Sequence, residues 1–235
     1  MGVNRLGRWK NFHRGEGCLL ICNGPSLNRI DWSRVDGSLI KFGLNKIYLG
    51  VKKFAFAPRY VCCVNEKVLR QSVRELNRLD SIKFVSNRVN DELYPETPRL
   101  YRINTVRLPR FSERFSTDIC HYVEEGWTVT HAALQIIYYM GFTRVFIVGM
   151  DHRYELARSG QKNAGIVVEG DDPDHFDPRY FGGGQPWDQP DLENSEISYR
   201  AARVAFEAAG RQVFDCTVDG GCDVFVRRPV SVIYG

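Results

Sequence analysis

Six short apolar runs, rich in Val, Ile, Phe and Cys, recur along this chain and are separated by longer stretches with helical period. They are "GCLLIC" (17–22), "SLIKFGL" (38–44), "RYVCCV" (59–64), "SIKFVS" (81–86), "TRVFIVGM" (143–150) and "RQVFDC" (211–216). A strand that is apolar on both faces is buried on both faces, and that happens mainly in parallel sheets covered by crossover helices. The pattern predicts an α/β fold with a Rossmann-like, doubly wound, mostly parallel sheet. With 235 residues and 43% hydrophobic content, one nucleotide-binding-sized domain over 1–235 is expected rather than two.

Three helices are predicted between the runs. "NEKVLRQSVRELNRL" (65–79) places Val68, Leu69, Val73, Leu76 and Leu79 on one face, and "TVTHAALQIIYYMG" (128–141) is apolar almost throughout. "DLENSEISYRAARVAFEAAG" (191–210) has acidic residues in its first turns and Gly210 at its end, as the helix dipole and C-cap preferences favour. The segment 152–190 differs: it is rich in Gly, Pro and Asp and has no sustained period. A segment of that length without regular pattern inside a domain predicts a lid-like insertion.

Composition removes several function classes. The 32 basic and 28 acidic residues leave a formal charge of +4, spread along the chain, which suits an anionic small molecule and does not suggest nucleic acid. Seven cysteines, several inside apolar runs and none in CxxC spacing, predict buried free thiols in a reducing compartment. The N-terminus has no apolar signal core, and no stretch approaches the roughly 18 apolar residues of a membrane span, so a soluble cytoplasmic protein is expected. Gly2 is followed by Leu6 where the myristoylation pattern needs Ser or Thr.

In open parallel sheets, ligands bind beyond the carboxyl ends of the strands. Asn23, Asn45, Asn65 and Asn87 come at or just after the first four runs, and Asp151 follows the fifth. Four carboxamides and a carboxylate would converge on one edge, although Asn also closes strand ends for purely local reasons. At the first of these turns Asn23-Gly24 can make a tight bend and Pro25 can open a helix. Ser26 can then offer its hydroxyl and N–H to an anion. The motif is neither a Walker A loop nor a GxGxxG fingerprint.

"NGPSLNRIDWSRV" resembles the N-terminal motif of the bacterial sialyltransferases of glycosyltransferase family 42. It also resembles that of the related MptE-like group, which includes 6-hydroxymethylpterin diphosphokinases and flagellin-modifying glycosyltransferases. The resemblance continues through "FGLNKIYL", "CVNEKVL", "GWTVTHAALQIIYYMGFTRVFIVGMD" and "DPDHFDPRYF". It implies a Rossmann-like fold with a lid, a CMP-activated sugar as donor and no required metal. By position, Asn23, Gly24 and Ser26 would meet the nucleotide phosphate, Asn45 and Asn65 the ribose and sugar, and Thr128 the backbone of the sugar site. Where the sialyltransferases carry two tyrosines after the fifth strand, this chain has only Tyr154 nearby, in "DHRYEL". Where they place a histidine beyond a His-aromatic pair, it has His175 within the pair.

His175, between Asp174 and Phe176, is the candidate general base, with acidic neighbours able to orient a neutral imidazole. Tyr180 and Arg179 are the candidate lid donors to the leaving phosphate. His131 and His121 are expected to pack in the core or a groove, and His13 to belong to the basic leader. Asp151 could hold Mg²⁺, orient a ribose hydroxyl or cap a turn. Glu169, Asp171, Asp172 and Asp174 read as a solvated acidic loop, with metal ligation as the alternative. The leading expectation is a transferase using a CMP-linked acidic sugar and a glycan or other hydroxyl acceptor, with room for a homo-oligomer. The runner-up is a pyrophosphokinase that transfers a diphosphoryl group from ATP to a pterin-like alcohol, with Asp151 holding Mg²⁺. A nucleotide-binding module without catalysis is the third class.

Overall fold

The computed structural model describes residues 5–107, 115–155, 165–167 and 169–235. In chain order the elements are β1 (Gly17–Ile21), β2 (Ile40–Leu44), β3 (Tyr60–Cys63), α1 (Glu66–Gln71), α2 (Val73–Arg78), β4 (Ile82–Ser86) and β5 (Leu100–Ile103). They continue with β6 (Thr105–Val106), β7 (Val123–Glu124), α3 (Val129–Met140), β8 (Arg144–Val148), β9 (Gly165–Val167), β10 (Pro186–Asp188), α4 (Leu192–Ala208), β11 (Gln212–Asp215) and β12 (Val226–Arg227).

Eight strands form one sheet in the order β12-β11-β8-β1-β2-β3-β4-β5, every neighbouring pair parallel. This is the expected Rossmann-like architecture. The chain leaves β1 in one direction through β2 to β5, then returns to the other side through β8, β11 and β12. The order therefore reverses between β1 and β8, which is where an open α/β sheet leaves a crevice.

All six apolar runs are strands of this sheet, and their alternation sets the two cores. Cys18 and Leu20 of β1 face one hydrophobic cluster with α3 and Phe206 of α4, while Leu19 and Ile21 face the other with Leu27, Leu69 and Leu76. Helix α3 is buried on nearly all sides, and α4 begins at an Asp191 cap whose side chain accepts from Asn194 N–H.

The single helix expected over 65–79 is two short ones. Ser72 leaves helical geometry at φ −116°, and its buried Oγ accepts the Tyr48 hydroxyl at 3.0 Å. Strand β5 is absent from the apolar pattern because Arg102 breaks the run. The guanidinium of Arg102 donates to Val89 O and Tyr94 O at 2.6 and 2.7 Å.

Three histidine and acidic expectations are corrected. His13 is buried at 2% exposure, stacked on Phe142 and within 2.6 Å of the Tyr60 hydroxyl, so it belongs to the core and not to a solvated leader. His121 is exposed, whereas His131 is fully buried. Asp172 and Asp174 are buried inside the turn that was read as a solvated loop, while Glu169 and Asp171 are exposed. All seven cysteines are free, six of them buried.

Candidate functional site

A cleft of about 620 Å³ opens at the reversal between β1 and β8, within the size range of small-molecule sites. Its floor comes from the turns after β1, β2, β3 and β8, its back wall from residues 124–130 at the start of α3, and its outer wall from residues 174–190. Asn23, Gly24, Asn45, Asn65, Thr128, Asp151, His175 and Tyr180 all line it. Asn87 does not, because it is tied to the β5–β6 junction through Asn104 and Thr105 N–H.

The floor is wired through backbone. Asn23 Nδ2 donates to Leu44 O at 3.2 Å, spanning β1 and β2, and Asn45 follows β2 in the left-handed conformation at φ 47°. The Oδ1 atoms of Asn23 and Asn45 are buried and have no hydrogen-bond partner among the described residues. Two such acceptors in one cleft are suited to hydroxyl or amine donors of a ligand, since leaving them unpaired costs free energy. Asn65 is committed locally, capping α1 through Oδ1 to Val68 N–H at 3.2 Å. Thr128 caps α3 in the same way, and Tyr199 donates its hydroxyl to Thr128 Oγ1 at 3.4 Å. The first turn of the 12-residue α3 thus meets the cleft with the positive end of its dipole.

Ser26 departs from expectation. Pro25 does open a short helix, but it is a five-residue 3₁₀ turn, and both Ser26 donors are already taken. Ser26 N–H and Oγ–H donate to the two oxygens of Asp151 at 3.1 and 2.7 Å. The anion that satisfies this loop is the protein's own carboxylate. Burial raises the Asp151 pKa above the usual carboxylate value, against the opposing effect of the two Ser26 hydrogen bonds. Gly24 is required here, because a Cβ would run into the Asp151 carboxylate and Gly149 O.

The outer wall carries the titratable centre. His175 Nδ1 lies 2.8 Å from Asp172 Oδ2, and their side chains are 10% and 1% exposed. The imidazole stacks on Tyr180 at 4.0 Å and 4°, and Phe181 and Trp187 meet it edge-on at 5.2 and 6.0 Å. The Tyr180 hydroxyl faces Lys46 N–H at 3.5 Å and the Asn45 side chain. Arg179 lies outside the cleft: its side chain is 72% exposed and clasped by Asp177 at 2.7 and 2.9 Å.

The described part of the 152–190 segment is docked onto the sheet edge. Phe176 N–H donates to Asn23 O at 2.9 Å, and Asn28 Nδ2 and Lys53 Nζ both donate to Phe176 O. Lys67 pairs with Asp188 at 2.5 Å, joining α1 to β10. Residues 156–164 and 168 of that expected lid lie outside the described residues.

Sequence reasoning missed Lys46 and did not assign Asp172 to the site. Lys46 is buried, donating from Nζ to Tyr180 O at 2.6 Å and Gln185 Oε1 at 2.5 Å. Its only signal was adjacency to Asn45. The signal for Asp172 was its place three residues before His175 in "DPDH". Among the described residues no cluster of three His, Cys, Asp or Glu is arranged to hold a metal, and no helix is long and apolar enough to cross a membrane.

A family model described as "6-hydroxymethylpterin diphosphokinase MptE-like" matches residues 3–156, more than half of the chain. No curated protein matches. Among solved structures, the MAf glycosyltransferase from Magnetospirillum magneticum AMB-1 aligns with a TM-score of 0.57 at 13% identity. The alignment covers 96% of this chain and 37% of that one. This chain therefore spans well under half the length of that enzyme. The sialyltransferase CstII from Campylobacter jejuni, in complex with the substrate analogue CMP-3FNeuAc, aligns with a TM-score of 0.52 at 12% identity, covering 94% of this chain and 88% of that one. Its complex with cytidine-5'-monophosphate aligns at 0.50. At these identities the likeness is one of fold.

Proposed function

This chain belongs to the 6-hydroxymethylpterin diphosphokinase MptE-like family, and on that premise we propose that it is a glycosyltransferase taking a CMP-linked acidic sugar as donor and a hydroxyl as acceptor. One observation carries the reading. His175, backed by the buried Asp172, faces the same cleft as the unpartnered Asn23 and Asn45 oxygens. A candidate base and two unpartnered acceptors at the switch point of an open parallel sheet support this reading.

In this reading the nucleoside lies over the floor, with its hydroxyls or amine donating to Asn23 Oδ1 and Asn45 Oδ1. The phosphate lies toward the first turn of α3, where the helix dipole favours an anion. His175 takes the acceptor hydroxyl proton on Nε2 as the acceptor oxygen bonds to the anomeric carbon. The bond from that carbon to the phosphate oxygen breaks, and its electron pair leaves with CMP. The donor group toward the leaving charge is the α3 N-terminus, since Gly24 N–H is taken by Gly149 O at 2.8 Å and Asn23 Nδ2 by Leu44 O, and Arg179 lies outside the cleft. The pyrophosphokinase reading asks Asp151 to hold Mg²⁺, and both Asp151 oxygens are engaged by Ser26.

Thermal denaturation with CMP, CDP, UDP, GDP and ATP, each with and without Mg²⁺, tests the reading, because a ligand of the native state raises Tm. CMP is expected to raise Tm without Mg²⁺, and Asn45→Ala to remove most of that rise. Stabilisation by ATP alone, and only with Mg²⁺, overturns the proposal in favour of phosphoryl transfer.

A further inference from the structure

We infer that Asp172 is a positioning residue: it holds His175 as the Nδ1–H tautomer and leaves Nε2 as the proton acceptor at the cleft. The inference deepens the glycosyltransferase reading and rests on it for the kinetic half of its test alone.

The geometry is that of an orienting carboxylate. Which imidazole nitrogen carries the proton is set by the hydrogen bond the other one makes. Nδ1 lies 2.8 Å from Asp172 Oδ2, so a carboxylate there accepts Nδ1–H, and Nε2 is left as a lone pair. Asp172 is itself fixed from two sides. Phe181 N–H donates to the same Oδ2 at 3.0 Å, and Asp174 N–H donates to Oδ1 at 2.9 Å. At 1% side-chain exposure it has no water to turn toward. The ring is held as firmly, lying flat on Tyr180 and bordered by Phe181, Trp187 and, at 6.4 Å, Tyr154.

All the parts of the device come from one short stretch, residues 172–181. The base, its orienting carboxylate, the amide donors that hold that carboxylate and the stacking ring are carried together, so the outer wall presents a finished unit to whatever the floor binds. Charged groups near it include Asp174, adjacent in sequence, the Asp177–Arg179 pair of the same stretch, Lys53 on Phe176 O, and Lys46, whose Nζ reaches Tyr180 O and feels the Asp172 charge.

The proton inventory is closed. The acceptor O–H proton moves to Nε2, giving an imidazolium whose Nδ1–H still points at the Asp172 carboxylate. That carboxylate stays ionised and stabilises the cation, and the imidazolium returns its proton to water after CMP departs.

The test begins with the wild-type protein. Nitrogen-15 histidine spectra, with His175 assigned by its loss in His175→Gln, are expected to show the Nδ1–H tautomer and a downfield, exchange-protected Nδ1 proton. In Asp172→Asn the amide can donate to Nδ1, and the ring is expected to switch to Nε2–H. With CMP-N-acetylneuraminate as donor probe, kcat for Asp172→Asn is expected to fall roughly 10²-fold or more with KM within about twofold, since a misoriented base affects the chemical step and not donor binding. A wild-type His175 in the Nε2–H tautomer overturns the inference, as does an Asp172→Asn protein that keeps the wild-type tautomer. If the wild type does not turn over the CMP-sugar while its tautomer is as expected, the donor assignment fails and the positioning role stands.

Discussion

Asp151, in the turn after β8, is half-buried and Asp172, in the outer wall, is buried; both are carboxylates at the border of one cleft, and their partners divide them. Asp151 accepts from two donors of Ser26, a residue on another strand's turn, and so holds the β1 loop against the β8 end. Asp172 accepts from two backbone amides of its own turn and spends its remaining capacity on a titratable ring. Both are satisfied, but only one is coupled to a group that can move a proton. A buried carboxylate near a cleft therefore says little by itself, and the identity of its donors says whether it shapes the floor or orients a base.

The largest effect expected from breaking this contrast is on the orienting side. His175→Ala is expected to lower turnover of the CMP-sugar by roughly 10²-fold or more while the Tm rise with CMP stays near wild type. The double variant His175→Ala/Asp172→Asn should be no slower than His175→Ala alone, because the carboxylate acts only through the ring. A further loss in the double variant, or equal losses of turnover and CMP binding in the single one, removes the assignment of the base.

On the floor side the effect should be on stability. Asp151→Ala leaves the Ser26 N–H and hydroxyl unpaired in a partly buried loop, and a loss of about 1–3 kcal/mol is expected in urea unfolding. CMP stabilisation should weaken with it, since Asn23 and Gly24 belong to the same loop. A change within about 0.5 kcal/mol, the size of an ordinary surface substitution, would mean that the Ser26 bonds add nothing net.

The same contrast marks how far the sequence could be read. The parallel sheet was legible because six of its eight strands are short apolar runs, and the edge of the site was legible because Asn23, Asn45, Asn65 and Asp151 follow those runs directly. Ser26 reads as a donor to a ligand phosphate, yet both of its donors go to Asp151, 125 positions away in the chain, and no local pattern announces that pairing. The split at Ser72 coincides with its bond to the Tyr48 hydroxyl, a partner brought by tertiary packing. His13 looks basic and peripheral until Tyr60 and Phe142 close around it. Asp172 was visible as a residue but read as solvated, since burial of its turn follows from aromatic packing among His175, Tyr180, Phe181 and Trp187 that spacing does not reveal.

The last expected effect appears only within a window of pH and concerns the strut between the two regions. Lys46, directly after Asn45 on the floor, reaches Tyr180 O and Gln185 of the outer wall, with Nζ 4.6 Å over the Phe181 ring. Its acceptors are neutral, and burial lowers its pKa from the usual 10.5 to about 8, against partial compensation by Asp172 and Glu75. The unfolded chain keeps this proton up to about pH 10.5 and the native state only up to about pH 8. Between those limits the unfolded state binds more protons, so stability rises with pH, by at most ~1.4 kcal/mol per pH unit. Lys46→Met has no such proton to lose. Urea midpoints measured across that window should therefore show the wild type gaining on Lys46→Met as pH rises, which cancels the titration of every other group common to both. Parallel curves would mean that Lys46 keeps its charge as readily in the folded protein as in water, and that the floor and the outer wall are not joined through a desolvated ammonium.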